Sequence, residues 1–168
     1  MRKVNHLQDK WQNVLFSLFG VLIIAADQLS KAWIRSNLLP GCSLFEIGFF
    51  RLVHVHNTGA AFGLLPDQSL ALTIVGFTTT TVILAYVLVL YRYFPWFNSR
   101  LGKLALGLVV GGTVGNLIDR LRFGYVTDFI DFDYWAAFNV ADSAVTVGSI
   151  LLAYILIRLA QAENTQNG

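Results

Sequence analysis

Phe138-Asn139-Val140-Ala141-Asp142, running into SAVTVGSILLAYILIRL over residues 143–159, decides the fold class. The run is apolar and close to the length a helix needs to cross a bilayer, about 20 residues. A carboxylate nevertheless stands at its entrance, where charge is expensive unless it is paired or functional. Three further stretches have the same character, at about residues 14–32, 69–91 and 101–118. The expectation is a mainly α membrane protein with four transmembrane helices. Composition agrees, with 55% apolar and 13% charged residues against the roughly 25% charged that is usual in soluble domains. No linker, low-complexity tract or repeat divides the 168 residues, so one domain is expected.

The first apolar run follows Arg2, Lys3 and Lys10 and so resembles a secretory signal. No small-residue cleavage site and polar mature region follow it, and it reads as a retained helix. Basic residues before the first helix, and Arg92, Arg100 and Lys103 between the second and third, place both segments in the cytoplasm, with the C-terminus after Arg158 returning there. Arg35, Arg51, Arg120 and Arg122 on the other side keep the bias weak. A net charge of +2 without a basic stripe argues against nucleic acid as a partner. Cys42 is the lone cysteine and can form no internal disulfide.

Two long connections, residues 36–68 and 121–142, then fall on the outer side. Residues 44–55 are rich in Phe, Ile, Leu and Val, and His54 and His56 alternate with Val53 and Val55. That period of two predicts a small extracytoplasmic sheet on the membrane surface. It leads into Asn57-Thr58-Gly59-Ala60-Ala61-Phe62-Gly63, whose glycines allow turns and close approach to a ligand. The second connection mixes Phe129, Ile130, Phe132, Tyr134, Trp135 and Phe138 with Asp131 and Asp133, an amphipathic loop of interfacial character. In the third helix, Gly107, Gly111 and Gly115 at spacing four form a stripe for close helix approach. Gly112, beside that stripe, is expected near a site.

Each polar group has a structural and a functional reading. Asp27 and Lys31 share a helix face four residues apart and can pair. Asp119 either ends the third helix at the interface or supports a site. Asn116 and Arg120, one turn apart, present amide and guanidinium donors on one face. His54, His56, Asp131 and Asp133 lack the three or four well-placed ligands of a zinc site, and no HExxH occurs, so no metal or cofactor is expected. Asp142 taken singly reads as a helix N-cap, and Asp128 as a solvated loop acid. Taken together on one rim, with no serine–histidine set to compete, they read as a two-carboxylate hydrolase. Carboxylates about 3 Å apart cannot both ionise cheaply and so share a proton. A small proton-coupled transporter subunit is the rival, since membrane acids also mark ion paths. It predicts acids strung along the helix middles, and a structural scaffold is the third reading.

Five motifs, in this order and spacing, resemble those of the lipoprotein signal peptidase family, or signal peptidase II: Asp27-Gln28-Leu29-Ser30-Lys31, residues 57–63, Gly112-Thr113-Val114-Gly115-Asn116-Leu117-Ile118-Asp119-Arg120, Val126-Thr127-Asp128-Phe129-Ile130-Asp131, and Phe138-Asn139-Val140-Ala141-Asp142-Ser143. The resemblance spans nearly the whole chain. It implies a bacterial inner-membrane aspartyl endopeptidase that cuts prolipoprotein signal peptides before a diacylglyceryl-modified cysteine; a monomer among membrane lipid is expected. It also implies that Asp128 and Asp142 are the catalytic pair, and that Asn57, Gly112, Asn116, Arg120 and Asn139 bind or orient substrate. Asp27, Lys31 and Asp119 would support the site, and globomycin-type cyclic peptides would inhibit it. Trp135-Ala136-Ala137 stand where the family often carries proline, which leaves the path of that loop open. Phe62, Ile130, Trp135 and Phe138 are expected to shield the pair from water.

Overall fold

A computed structural model describes residues 6–59, 69–89, 95–132 and 134–166. Among these residues, four helices are long and apolar enough to cross a membrane. They are α1 (His6–Asn37), α2 (Ser69–Leu88), α3 (Arg100–Phe123) and α4 (Val140–Gln166), with β1 (Ser43–Ile47) and β2 (Phe50–Asn57) between α1 and α2, and β3 (Val126–Phe132) and β4 (Trp135–Phe138) between α3 and α4. The expected membrane architecture, four helices and a small sheet, is thus present.

Three helices outrun their apolar stretches, because helical hydrogen bonds join backbone groups and do not require apolar side chains. α3 runs past Asp119 to Phe123 and stops at Gly124, whose φ of +80° only glycine adopts readily, and whose N–H bonds the Arg120 carbonyl at 3.0 Å. Asp119 therefore lies inside the helix and does not terminate it. α2 ends at Leu88, and positions 90–91 lie outside the described residues.

α3 is the central helix, packed on α1, α2 and α4, and it carries most of the buried helical positions. Its glycines permit this. A Cβ at Gly111 would meet the Gly20 carbonyl of α1 at 2.8 Å, and one at Gly112 would overlap the Ala141 carbonyl of α4. Gly107 serves the same close packing, against Phe16 of α1. Val87 of α2 joins Phe16, Leu106 and Val110 in the buried cluster. Elsewhere α2 buries only Gly76, as a helix largely facing lipid would.

The sheet is antiparallel throughout, in the order β1-β2-β3-β4. The period of two in the first connection was a sufficient signal for β2. The second connection, expected as an amphipathic loop, instead supplies two strands. Its aromatics conceal the alternation, since Val126 to Phe129 are buried on both faces. β3 pairs with β2 so that Val55 faces Asp128 and Asn57 faces Val126. That register brings the far ends of two distant loops together at one end of the helix bundle.

Candidate active site

α4 begins with a reciprocal cap. Asn139 Oδ1 accepts the Asp142 N–H at 2.9 Å, and Asp142 Oδ2 accepts the Asn139 N–H at 3.2 Å. Asn139 is therefore the N-cap, and Asp142, read from sequence as the possible cap, is the third helical residue. The Ala141 N–H, another donor that a helix start leaves without an intrahelical partner, bonds Asp27 Oδ1 of α1 at 3.0 Å. The first turn of α4 is thus held from two sides.

The same asparagine reaches the second acid, since Asn139 Nδ2 donates to Asp128 Oδ1 at 2.7 Å. Asn57 Nδ2 donates to the other oxygen of Asp128 at 2.8 Å. Asn116 Nδ2 donates to Asp142 Oδ1 at 2.7 Å. Both carboxylates therefore meet at Asn139, and every oxygen of the pair accepts an N–H. Asp128 is 1% exposed, no solvated loop acid. Burial pushes its carboxyl up to about 7, and the negative charge of Asp142 adds to the rise.

Behind the pair lies a buried ionic network. Lys31, fully buried, pairs with Asp27 Oδ2 at 2.8 Å and Asp119 Oδ2 at 3.4 Å, and donates to Asn116 Oδ1 at 2.8 Å. Asp119 also accepts the Thr127 N–H at 3.0 Å and pairs with Arg35 at 3.3 Å. Gln28 ties Asp119 to the Gly115 carbonyl. Buried charges survive only when paired and hydrogen-bonded in this way. The acids form one cluster at one end of the bundle, which is not the strung-out path that a transporter requires.

Sequence reasoning missed Gln28, Arg35 and Thr127 as members of this network. Arg35 was counted only as a topology charge, although it lies four residues after Lys31 on the same face. It donates to Thr127 Oγ1 at 3.0 Å and lies 4.6 Å from the Phe123 ring centre.

A cavity of about 640 Å³ opens beside Asp142. Asn57, Asn116 and Arg120 line its polar end, and Phe49, Phe132, Trp135 and Phe138 are among its apolar walls. Arg120 donates weakly to the Gly59 carbonyl at 3.4 Å, and its buried Nε has no partner among the described residues. Gly112 does not line this cavity; it lets α3 approach the turn that carries Asp142. Trp135 and Phe138 stand at the cavity as the shielding reading requires. Ile130 pairs with Phe138 in the sheet and is not part of the cavity wall, and Phe62 lies outside the described residues.

The two histidines do not converge on a metal-binding set. His54 Nδ1 lies 2.8 Å from the Leu38 carbonyl, and His56 stacks on Tyr125 at 3.7 Å. Asp131 pairs with Arg51 at 2.7 Å, and Asp133 lies outside the described residues. No group of three or more potential metal ligands occurs among the described residues.

Comparison with known proteins agrees with the geometry. Residues 19–158 match the family model described as Signal peptidase (SPase) II. The chain is 49% identical over 144 residues to the lipoprotein signal peptidase of Moorella thermoacetica, covering 84% of this chain and 92% of that one. It is 47% identical over 151 residues to the lipoprotein signal peptidase of Dehalococcoides mccartyi, covering 86% and 91%. A solved bacterial membrane enzyme superposes with a TM-score of 0.71 at 29% identity, over 89% of this chain and 88% of its own. Matching in sequence and in fold along most of its length, the chain belongs to the signal peptidase II family, the lipoprotein signal peptidases.

Proposed function

We propose that this peptidase is an aspartyl endopeptidase that releases the signal peptide of diacylglyceryl-modified prolipoproteins by cutting before the lipidated cysteine, with Asp128 and Asp142 as its catalytic pair. The observation that carries this reading is Asn139 bonding both carboxylates, by its amide and by its backbone, at the rim of an apolar cavity.

A water held between the carboxylates loses a proton to Asp142 as its oxygen attacks the scissile carbonyl, while Asp128 gives its proton to the carbonyl oxygen. The raised Asp128 carboxyl, at about 7, suits a proton donor near neutral pH. The tetrahedral diol then collapses. Asp142 passes its proton to the leaving cysteine nitrogen, and Asp128 recovers the proton of one hydroxyl. Neither step forms a covalent bond to the enzyme. The guanidinium of Arg120, with its unused Nε, and the amide of Asn57 supply donors for substrate carbonyls beside the reacting bond.

The site reads as lying near the outer face of the bacterial inner membrane, with both termini cytoplasmic under the positive-inside rule. A substrate anchored by an apolar helix and two acyl chains reaches that plane through the lipid. A globomycin-type cyclic peptide would compete for the same cavity.

The test is cleavage of a diacylglyceryl-modified prolipoprotein by purified wild type, Asp128→Asn and Asp142→Asn in detergent, with a chelator present throughout. Wild type should cleave, and each variant should lose on the order of 10³-fold or more in rate. Normal cleavage by both variants would remove the pair from the mechanism, and loss of wild-type activity in chelator would require a metal.

A further inference from the structure

A second cavity, of about 280 Å³, opens on the other acid. Asp128 lines it together with Val55, His56, Asn57, Thr58, Gly59, Ala136 and Ala137. Asp142 lines only the larger cavity. Asn57, Gly59, Ala136 and Ala137 belong to both, so the two adjoin as lobes of one site. Each carboxylate of the pair faces a different lobe.

A peptide whose scissile carbonyl sits between the two carboxylates must send its halves to either side of them. The lobes differ in chemistry as the halves do. Aromatic and aliphatic walls, among them Phe49, Phe132, Trp135, Phe138 and Val147, surround the larger lobe. His56, Asn57, Thr58 and Asp128 give the smaller one a greater polar share than the larger has, although apolar surface predominates in both. Signal residues leave water at least cost in the first; the acyl chains, carried by the cysteine on the mature side of the cut, are likewise apolar and turn back to it or to lipid. The backbone beyond the cysteine is polar, and carries amides that need partners once buried.

Resting on the peptidase reading above, we infer that the smaller lobe is the subsite for the first residues of the mature chain, an extended polar peptide segment following the lipidated cysteine. Val55, paired across the ladder with Asp128 and exposed on the sheet, sets the width of this lobe. The lobe admits small residues after the cysteine and disfavours bulky ones.

The test uses two diacylglyceryl-modified peptides, one ending at the cysteine as its amide and one continuing for several mature residues. Val55→Trp narrows the smaller lobe alone, and Thr146→Trp narrows the larger alone. Val55→Trp is expected to lower kcat/KM at least tenfold for the long peptide and to leave the short one within about twofold. Thr146→Trp is expected to lower both alike. His56→Trp, at another exposed position of the smaller lobe, carries the same expectation and serves if Val55→Trp does not fold. An equal effect of the folded variant on both peptides, or no effect on either, overturns the subsite. Failure of wild type to cleave either peptide would instead overturn the peptidase reading itself, and the subsite with it.

Discussion

Lys31 Nζ donates to Asn116 Oδ1 at 2.8 Å, and this contact decides which end of the Asn116 amide faces Asp142. An ammonium can only donate, so the oxygen of the amide must turn toward it. The Asn116 nitrogen is then left to donate to Asp142 Oδ1 at 2.7 Å. A buried charge on α1 thereby orients a donor on α3 toward a carboxylate on α4.

Lys31→Met should therefore reduce both stability and turnover. It leaves Asp27 and Asp119, each fully buried, without their ammonium, and breaking a buried pair typically costs about 3–5 kcal/mol. The expected outcome is a lower thermal midpoint in detergent and at least a tenfold slower cleavage below that midpoint. Adding Asp27→Asn should recover part of the stability and none of the rate. An unchanged midpoint in the single variant would contradict this.

Asn139 caps α4 and also touches both acids, and two substitutions separate these roles. Ser at 139 retains a capping oxygen, whereas Ala loses it at about 1 kcal/mol. Neither can donate to Asp128 as Nδ2 does at 2.7 Å. Asn139→Ser should unfold close to wild type and Asn139→Ala earlier, while both cleave on the order of 10²-fold more slowly, the scale of a misplaced reacting group. Full activity in the Ser variant would show that the side-chain bridge is dispensable.

Gly112→Ala tests whether helix approach positions Asp142. The added methyl would overlap the Ala141 carbonyl and stand 2.8 Å from Val145 Cγ2, so the first turn of α4 must move. Overpacking of this kind costs about 1–3 kcal/mol. Gly111→Ala, crowded by Gly20 and Ile23 of α1 instead, should lose similar stability. Cleavage should fall further for Gly112→Ala, and equal rates would separate that contact from catalysis.

The pH dependence follows from Asp128. Its carboxyl is raised from 3.8 to about 7 by burial first and by Asp142 second, so the folded protein holds that proton more tightly than the unfolded chain does. The resulting stabilisation is present at acid pH and is lost progressively between pH 3.8 and about 7. With protonated Asp128 as the donor, kcat/KM should decline above a pH of about 7. Thermal midpoints measured across this range should fall with rising pH for wild type and fall less for Asp128→Asn. A pH-independent rate up to pH 9 would exclude Asp128 as the donor.

Much of this was legible in the linear chain because membrane helices announce themselves locally. Apolar runs near bilayer length gave the helices, and the alternation around His54 and His56 anticipated β2. β3 was not legible, because strand residues buried on both faces lose the alternating pattern, and β4, four residues long, is too short to show one. Arg35 was counted for topology because nothing local marks a guanidinium that turns inward to Asp119.

Sequence by itself determined the solvent, the helices and the family, since length, apolarity and motif order are properties of neighbouring residues. Only the tertiary structure decided that Asn139 joins Asp128 to Asp142, that Lys31 orients Asn116, and that each acid faces its own lobe. Those relationships link residues as far apart as Asp27 and Ala141. Their geometry is set by helix packing through glycine and by strand register, neither of which a local stretch of chain can specify.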